Sequence, residues 1–204
     1  MEYSIGSVVK FCKTNEPFGG FSNMAPNYPL VVAGRNIKYA ENLYQACKFP
    51  EYPEIQEQII TERNPINAKR ISRSYNDLVR SDWEEIRLEI MKWVLEVKLI
   101  QNWDSFSRLL LSTGNNPIVE LSIRDDFWGA KPQGTLLVGE NHLGRLLEDL
   151  RERVQREELR PENGVQPPKG VDNFLLINEK IGVIYPPNSN VTYVRKKRKL
   201  YLDR

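Results

Sequence analysis

Ile86, Ile90, Trp93, Val97 and Ile100 recur at intervals of four and three residues, the spacing that gathers apolar side chains on one face of an α-helix. Ser81 or Asp82 can cap its start, and Glu84 and Glu85 follow in the first turn, where the positive end of the helix dipole favours carboxylates. The stripe continues to about Asn102 and marks this segment as the core helix against which other elements must pack.

Those elements divide into an early β region and a later helical one. Ser7 to Cys12, Pro29 to Ala33 and Arg35 to Lys38 read as short strands, with Ala33-Gly34 turning between the last two, and together they suggest a meander. Helical patterns cover Glu41 to Phe49, Pro53 to Thr61 and a segment opening at Asn64-Pro65; beyond the core helix they cover Phe106 to Leu111 and His142 to about Glu157. Ile118 to Ile123 reads as a strand that leads into a loop rich in Asp, Gly and Trp. The expected class is α+β, a mostly helical single domain with a small sheet.

A chain of 204 residues builds one full core and is too short for two large ones. With 40% hydrophobic and 27% charged residues and a net charge of +2, it is no candidate for disorder. The charge is uneven, however: residues 161–204 carry 8 Lys+Arg against 4 Asp+Glu, whereas residues 1–160 carry 21 against 23. A body, 1–160, is therefore expected to precede a basic C-terminal extension, 161–204. The extension opens with PENGVQPPKG, holds short β-like runs at Phe174 to Ile177 and Gly182 to Tyr185, and ends in Arg195-Lys196-Lys197-Arg198-Lys199. That last run offers DNA or RNA phosphates a surface, although terminal charge runs are usually only solvated.

Cys12 and Cys47 make no disulfide framework, and no His/Cys cluster points to a metal; no cofactor is expected. No segment approaches the roughly 18–20 apolar residues needed to span a bilayer, and the first residues lack an apolar signal core. The expected location is the cytoplasm, with no membrane partner.

Four clusters exceed what periodicity requires. Pro17 to Asn23, PFGGFSN, sets two glycines between aromatics; Phe21, Ser22 and Asn23 then stand where a backbone can approach a ligand and small side chains can bond ribose or phosphate, or they simply anchor a turn. Glu41, Tyr44, Gln45 and Lys48 are spaced by three, four and seven, so a carboxylate, a phenol, an amide and an amine share one helical face, unless that face is merely solvated. Trp83 opens the core helix as a packing residue or a stacking platform. Last come Glu120 and Ser122, then Asp125-Asp126-Phe127-Trp128-Gly129 and Gly139 to Gly144, which lead into a helix start whose N–H groups could bind phosphate. His142, the sole histidine, reads as a local hydrogen-bonding residue.

Taken in order, PFGGFSN, E-x-x-Y-Q-A-x-K-F, a Trp before a long helix with Met91 and Lys98, E-x-S, D-x-W-G and N-x-L-G-x-L-L resemble the NADAR family over roughly residues 8 to 153. The resemblance implies a compact α+β domain whose pocket binds ADP-ribose-like or ribose-phosphate ligands and cleaves N-glycosidic bonds. It extends to Ser22, Asn23, Glu41, Tyr44, Gln45, Lys48, Trp83, Glu120, Asp126, Trp128, Gly129, Asn141 and Gly144. The chain departs from the family pattern at Ala40 and at Asn42, where the family often has histidine, and at Ala130 after Trp128-Gly129. An imidazole catalyst at position 42 is thereby excluded.

Breaking a ribosyl C–N bond builds positive charge on the sugar, so a carboxylate, Glu41 or Asp126, is the expected stabiliser, with a proton donor for the departing base. Glu41 is the expected group for proton transfer and Trp83 or Trp128 the stacking surface, while Lys48 is either an electrostatic clamp or a nucleophile that exchanges a ring-opened imine for its own Schiff base. The implied substrate is ADP-ribose on guanine in nucleic acid, favoured by the basic tail; a phosphorylated riboflavin-pathway intermediate is the alternative. A non-catalytic module for ADP-ribose or NAD is the competing class, although an acid and an amine on one face favour an enzyme.

Overall fold

The computed structural model describes residues 1–187; the run Arg195 to Lys199 lies outside the described residues. The core helix is α4, Trp83–Gln101, and all five residues of its stripe are buried. Asp82 occupies the N-cap position without capping, because its carboxylate receives two bonds from Arg80, Nε at 2.6 Å and Nη2 at 2.9 Å. Around α4 stand α1 (Ala40–Ala46), α2 (Pro53–Thr61), α3 (Pro65–Ser74), α5 (Trp103–Leu111) and α6 (His142–Gln155). Proline opens both α2 and α3, where its missing N–H costs nothing, and the Asn64 side chain caps α3 by accepting from the Ile66 N–H at 3.0 Å.

The strands are short. They are β1 (Glu2–Ser4), β2 (Val9–Phe11), β3 (Leu30–Val32), β4 (Arg35–Ile37), β5 (Ile118–Glu120), β6 (Lys131–Gln133), β7 (Leu136–Val138), β8 (Leu175–Leu176) and β9 (Glu179–Lys180). Only part of the expected meander forms. β3 and β4 make a hairpin whose turn residues Ala33 and Gly34 both have positive φ, but β2 leaves them and pairs in parallel with β5. β1, β7 and β6 form a three-stranded antiparallel sheet; β6 and β7 lie in the segment that reads from sequence as loop, and β1 is not among the expected strands. The fold class is α+β, as expected.

Residues 161–187 pack on the body. Val165, Phe174, Leu176, Ile181 and Ile184 join the same buried cluster as the α4 stripe, and Phe174 meets Trp93 edge-on at 4.8 Å. The fully buried Gln56 of α2 receives the Ile177 N–H at 2.6 Å and donates to the Leu175 carbonyl at 3.0 Å. Among the described residues no helix is long and apolar enough to cross a membrane.

Candidate functional site

The polar face of α1 opens into a cleft of about 840 Å³. Glu41 is held there by two contacts: its N–H donates to the Asn23 carbonyl at 3.0 Å, and its Oε1 accepts from Gln45 Nε2 at 2.8 Å. Lys48 lies one turn further, just past the end of α1, which stops at Ala46 and so is shorter than its periodicity suggests. The Lys48 Nζ sits 5.3 Å from the Trp83 ring. Burial lowers the pKa of this amine to about 8; Glu41 opposes the shift, while Lys69 and Arg73 reinforce it.

Aromatic side chains line one wall. Tyr44 is in contact with Trp83, centroids 5.1 Å apart, and with Trp128 at 5.7 Å. Burial foremost, then the Glu41 carboxylate, drives the Tyr44 pKa upward, so the phenol stays neutral and can donate. Trp83 therefore serves as core packing and cleft wall together.

The loop Gly19–Asn23 supplies a further part of the lining. Ser22 and Asn23 line the cleft, and Asn23 Nδ2 reaches Met91 Sδ at 3.0 Å. Beneath them lies Lys98, fully buried, which donates to the carbonyls of Gly20 at 2.7 Å and Ser22 at 2.9 Å and faces the rings of Tyr28 and Phe106. Burial pushes its pKa down to about 7, while both carbonyls and both ring faces favour the ammonium.

Glu120, at the end of β5, completes the site. Its pKa is raised to about 7 by burial, then by the Glu41 and Asp125 carboxylates, with Lys69 opposing. A carboxyl that keeps its proton near neutrality thus shares the cleft with Glu41.

Several expected site residues stand elsewhere. Asp126 is exposed, outside the cleft, and bound to Lys131 Nζ at 2.8 Å, which holds its carboxyl below the usual range; it cannot stabilise a sugar cation there. Its neighbour Asp125 lines the cleft instead, and one of its oxygens accepts the N–H groups of Phe127 at 3.1 Å and Trp128 at 2.9 Å, fixing the turn that presents Trp128. Phe21 is wholly buried between Phe11, Phe18 and Phe106.

Gly129, Asn141 and Gly144 are supports rather than lining. A Cβ on Gly129 would fall 2.5 Å from the Glu120 carbonyl, and one on Gly144 would fall 2.0 Å from that of Ile118, so α6 lies on β5 only because residue 144 is bare. Asn141 donates to the Ile118 carbonyl at 2.8 Å and accepts the Glu120 N–H at 3.1 Å, which fixes the strand carrying Glu120. The N–H groups of His142 and Leu143 at the start of α6, which could have faced a phosphate, go instead to the Phe127 and Trp128 carbonyls, both at 3.0 Å. His142 is the local residue expected, 2.6 Å from Glu140.

Sequence reasoning missed the basic side of the cleft, where Lys69, Arg73, Arg80, Arg87 and Arg124 also line it. The signal was the run Lys69-Arg70 with Arg73 on a helix that carries no acid. Among the described residues no group of three or more His, Cys, Asp or Glu is arranged to hold a metal ion.

Residues 10–155, which contain every cleft-lining side chain named above, match the model of the NADAR domain. The chain belongs to the NADAR family. Among its relatives is the N-glycosidase YbiA of Escherichia coli, 32% identical over 151 residues that cover 74% of this chain and 91% of that one. The NMR structure of E. coli YbiA superposes with a TM-score of 0.65, covering 76% of this chain and 88% of that one. A riboflavin biosynthesis protein of Vibrio vulnificus is 35% identical over 78% of this chain, and the chloroplastic riboflavin biosynthesis protein PYRR of Zea mays 33% over 72%. The matched segment spans only 41% and 25% of those two proteins, whereas it spans nearly all of YbiA. The shared NADAR unit is thus residues 10–155 of this chain.

Proposed function

We propose that this NADAR protein is an N-glycosidase that releases a nitrogen base from a phosphate-bearing ribosyl group. One observation carries the reading: a lysine depressed to about 8, a buried carboxylate and a carboxyl raised to about 7 line one cleft beside two tryptophans. A general acid near pH 7 and an amine whose pKa is drawn down toward neutrality are what this chemistry asks for.

For a ribose linked through an exocyclic amine, the ring opens to an imine at C1. The Lys48 amine adds to C1, and Glu120 gives its proton to the departing nitrogen as the C1–N bond breaks, leaving Lys48 joined to C1 as an imine. Water then adds to C1, Glu41 accepting its proton, and the sugar leaves as the free aldehyde with the Lys48 amine restored. Trp83 and Trp128 offer the base its stacking faces.

The finer reading keeps ADP-ribose on guanine in nucleic acid as the substrate, supported by the volume and the basic lining of the cleft. A ribosylamino-pyrimidine phosphate is the second reading, supported by the names of the Vibrio and maize relatives. Incubation with an ADP-ribosylated guanine oligonucleotide and, separately, with a ribosylamino-pyrimidine phosphate, followed by mass spectrometry of released sugar and base, decides between them. Release from neither would leave a non-catalytic ADP-ribose-binding module. Borohydride added during turnover should trap the sugar on Lys48; turnover without a trapped adduct would replace the imine route with direct hydrolysis.

A further inference from the structure

Resting on the N-glycosidase reading, we infer that Lys69 and Arg73 of α3, with Arg124 of the loop after β5, form a phosphate-binding end of the cleft that holds the phosphate ester of the ligand. Lys69 and Arg73 are four residues apart on α3 and so project from one face. All three side chains line the cleft.

Two other cations of the cleft are engaged. Arg80 is bound to Asp82 and to the Asp172 carbonyl, and Arg87 pairs with Glu84 at 2.9 Å and lies 3.7 Å over the Phe127 ring. Lys69, Arg73 and Arg124 have no side-chain hydrogen bond or ion pair among the described residues. Two like charges one turn apart destabilise a helix, and α3 has no acid to offset them. Arg70, on the same helix, instead turns to Asn67 at 2.9 Å and stays outside the cleft.

The three free cations supply uncommitted donors and positive charge to the oxygens of a phosphate, a role that arginine suits best. Lys69 and Arg73 also lie close to the chemistry. Lys69 and Arg73 both act electrostatically on Lys48, and Lys69 acts on Glu120, so an anion held between them occupies the same ligand's other end.

Calorimetric titration of ribose, ribose 5-phosphate and ADP-ribose into the full chain, the Lys69→Gln/Arg73→Gln double variant and the Arg70→Gln control tests the assignment. The two phosphate ligands are expected to bind far more tightly than ribose, and to lose about ten-fold in affinity for each cation removed, with Arg70→Gln unchanged. Tighter ribose 5-phosphate points to a terminal phosphomonoester, and tighter ADP-ribose to an internal diphosphate. In the double variant the pH profile of kcat/KM should also move upward, because the repulsion acting on Lys48 is gone.

The subsite is refuted if ribose binds as well as ribose 5-phosphate, if neither phosphate ligand binds, or if Arg70→Gln loses as much as the double variant. Product binding needs no turnover, so the two ideas fail separately. Phosphate ligands that bind as expected to a protein that turns over neither substrate retain the subsite and remove the glycosidase; turnover with unchanged KM in the double variant does the reverse.

Discussion

Lys98, beneath the Gly19–Asn23 loop, has no exposed surface, and its ammonium is bound by two carbonyls and faced by two aromatic rings. Lys48, in the lining of the cleft, is only partly covered, and its amine has a ring face and no hydrogen-bonded acceptor among the described residues. Burial lowers the pKa of both, to about 7 and about 8. What separates them is the use of the donors. A lysine whose protons are committed to backbone carbonyls holds a loop in place, whereas one left facing a cavity is available to react.

Substitution of each lysine is the strongest way to break that contrast. Lys48→Met should reduce turnover to background with the urea midpoint unchanged; measurable kcat would end the covalent role. Glu41→Gln keeps the bond to Gln45 in shape but not the base, so kcat should fall about 10²–10⁴-fold with the fold intact. Lys98→Met should act the other way round, costing about 2–4 kcal/mol of stability because two buried carbonyls lose their donor, and raising KM as Ser22 and Asn23 shift. A kcat loss at constant KM would place Lys98 in the chemistry instead.

The pH dependence sharpens the comparison further. Activity that needs the free amine rises with pH through about 8, the Lys48 value, and activity that needs protonated Glu120 falls as pH passes about 7. Since the acid is lost before the amine is freed, kcat/KM should show a narrow bell centred between the two values, and Glu120→Gln should remove its alkaline limb. The smallest effect belongs to Asp126→Asn, which should leave kcat and KM alone because that carboxylate meets only Lys131 and solvent.

Helices were legible because their signals are local. Proline at the start of α2 and α3, the cap at Asn64 and the α4 stripe all act within a few residues. The face of α1 was equally readable, since spacing alone brings Glu41, Tyr44, Gln45 and Lys48 together. Pairing was not. β2 meets β5 across more than a hundred residues, and β6 contains Lys131-Pro132-Gln133, which carries no alternation or β-branched residue to announce a strand. Asp125 and Asp126 are adjacent acids in a loop, and only the hydrogen bonds to Phe127 and Trp128 distinguish the one that faces inward. Glycines 129 and 144 and Asn141 matched a ligand-site pattern while serving backbone packing, because close approach to a chain and to a ligand call for the same small residues.

The docking of Phe174 on Trp93 and of Gln56 on the backbone at 175 and 177 bears on how this protein is shortened in the laboratory. The boundary of homology at residue 155 is not a boundary of foldability. A polypeptide trimmed there would bare an indole face and strand a buried amide, inviting aggregation. Cutting after Pro187 leaves those contacts whole and removes the Arg195 to Lys199 run, so the proposal that this run contacts nucleic acid can be tested without an unfolding artefact.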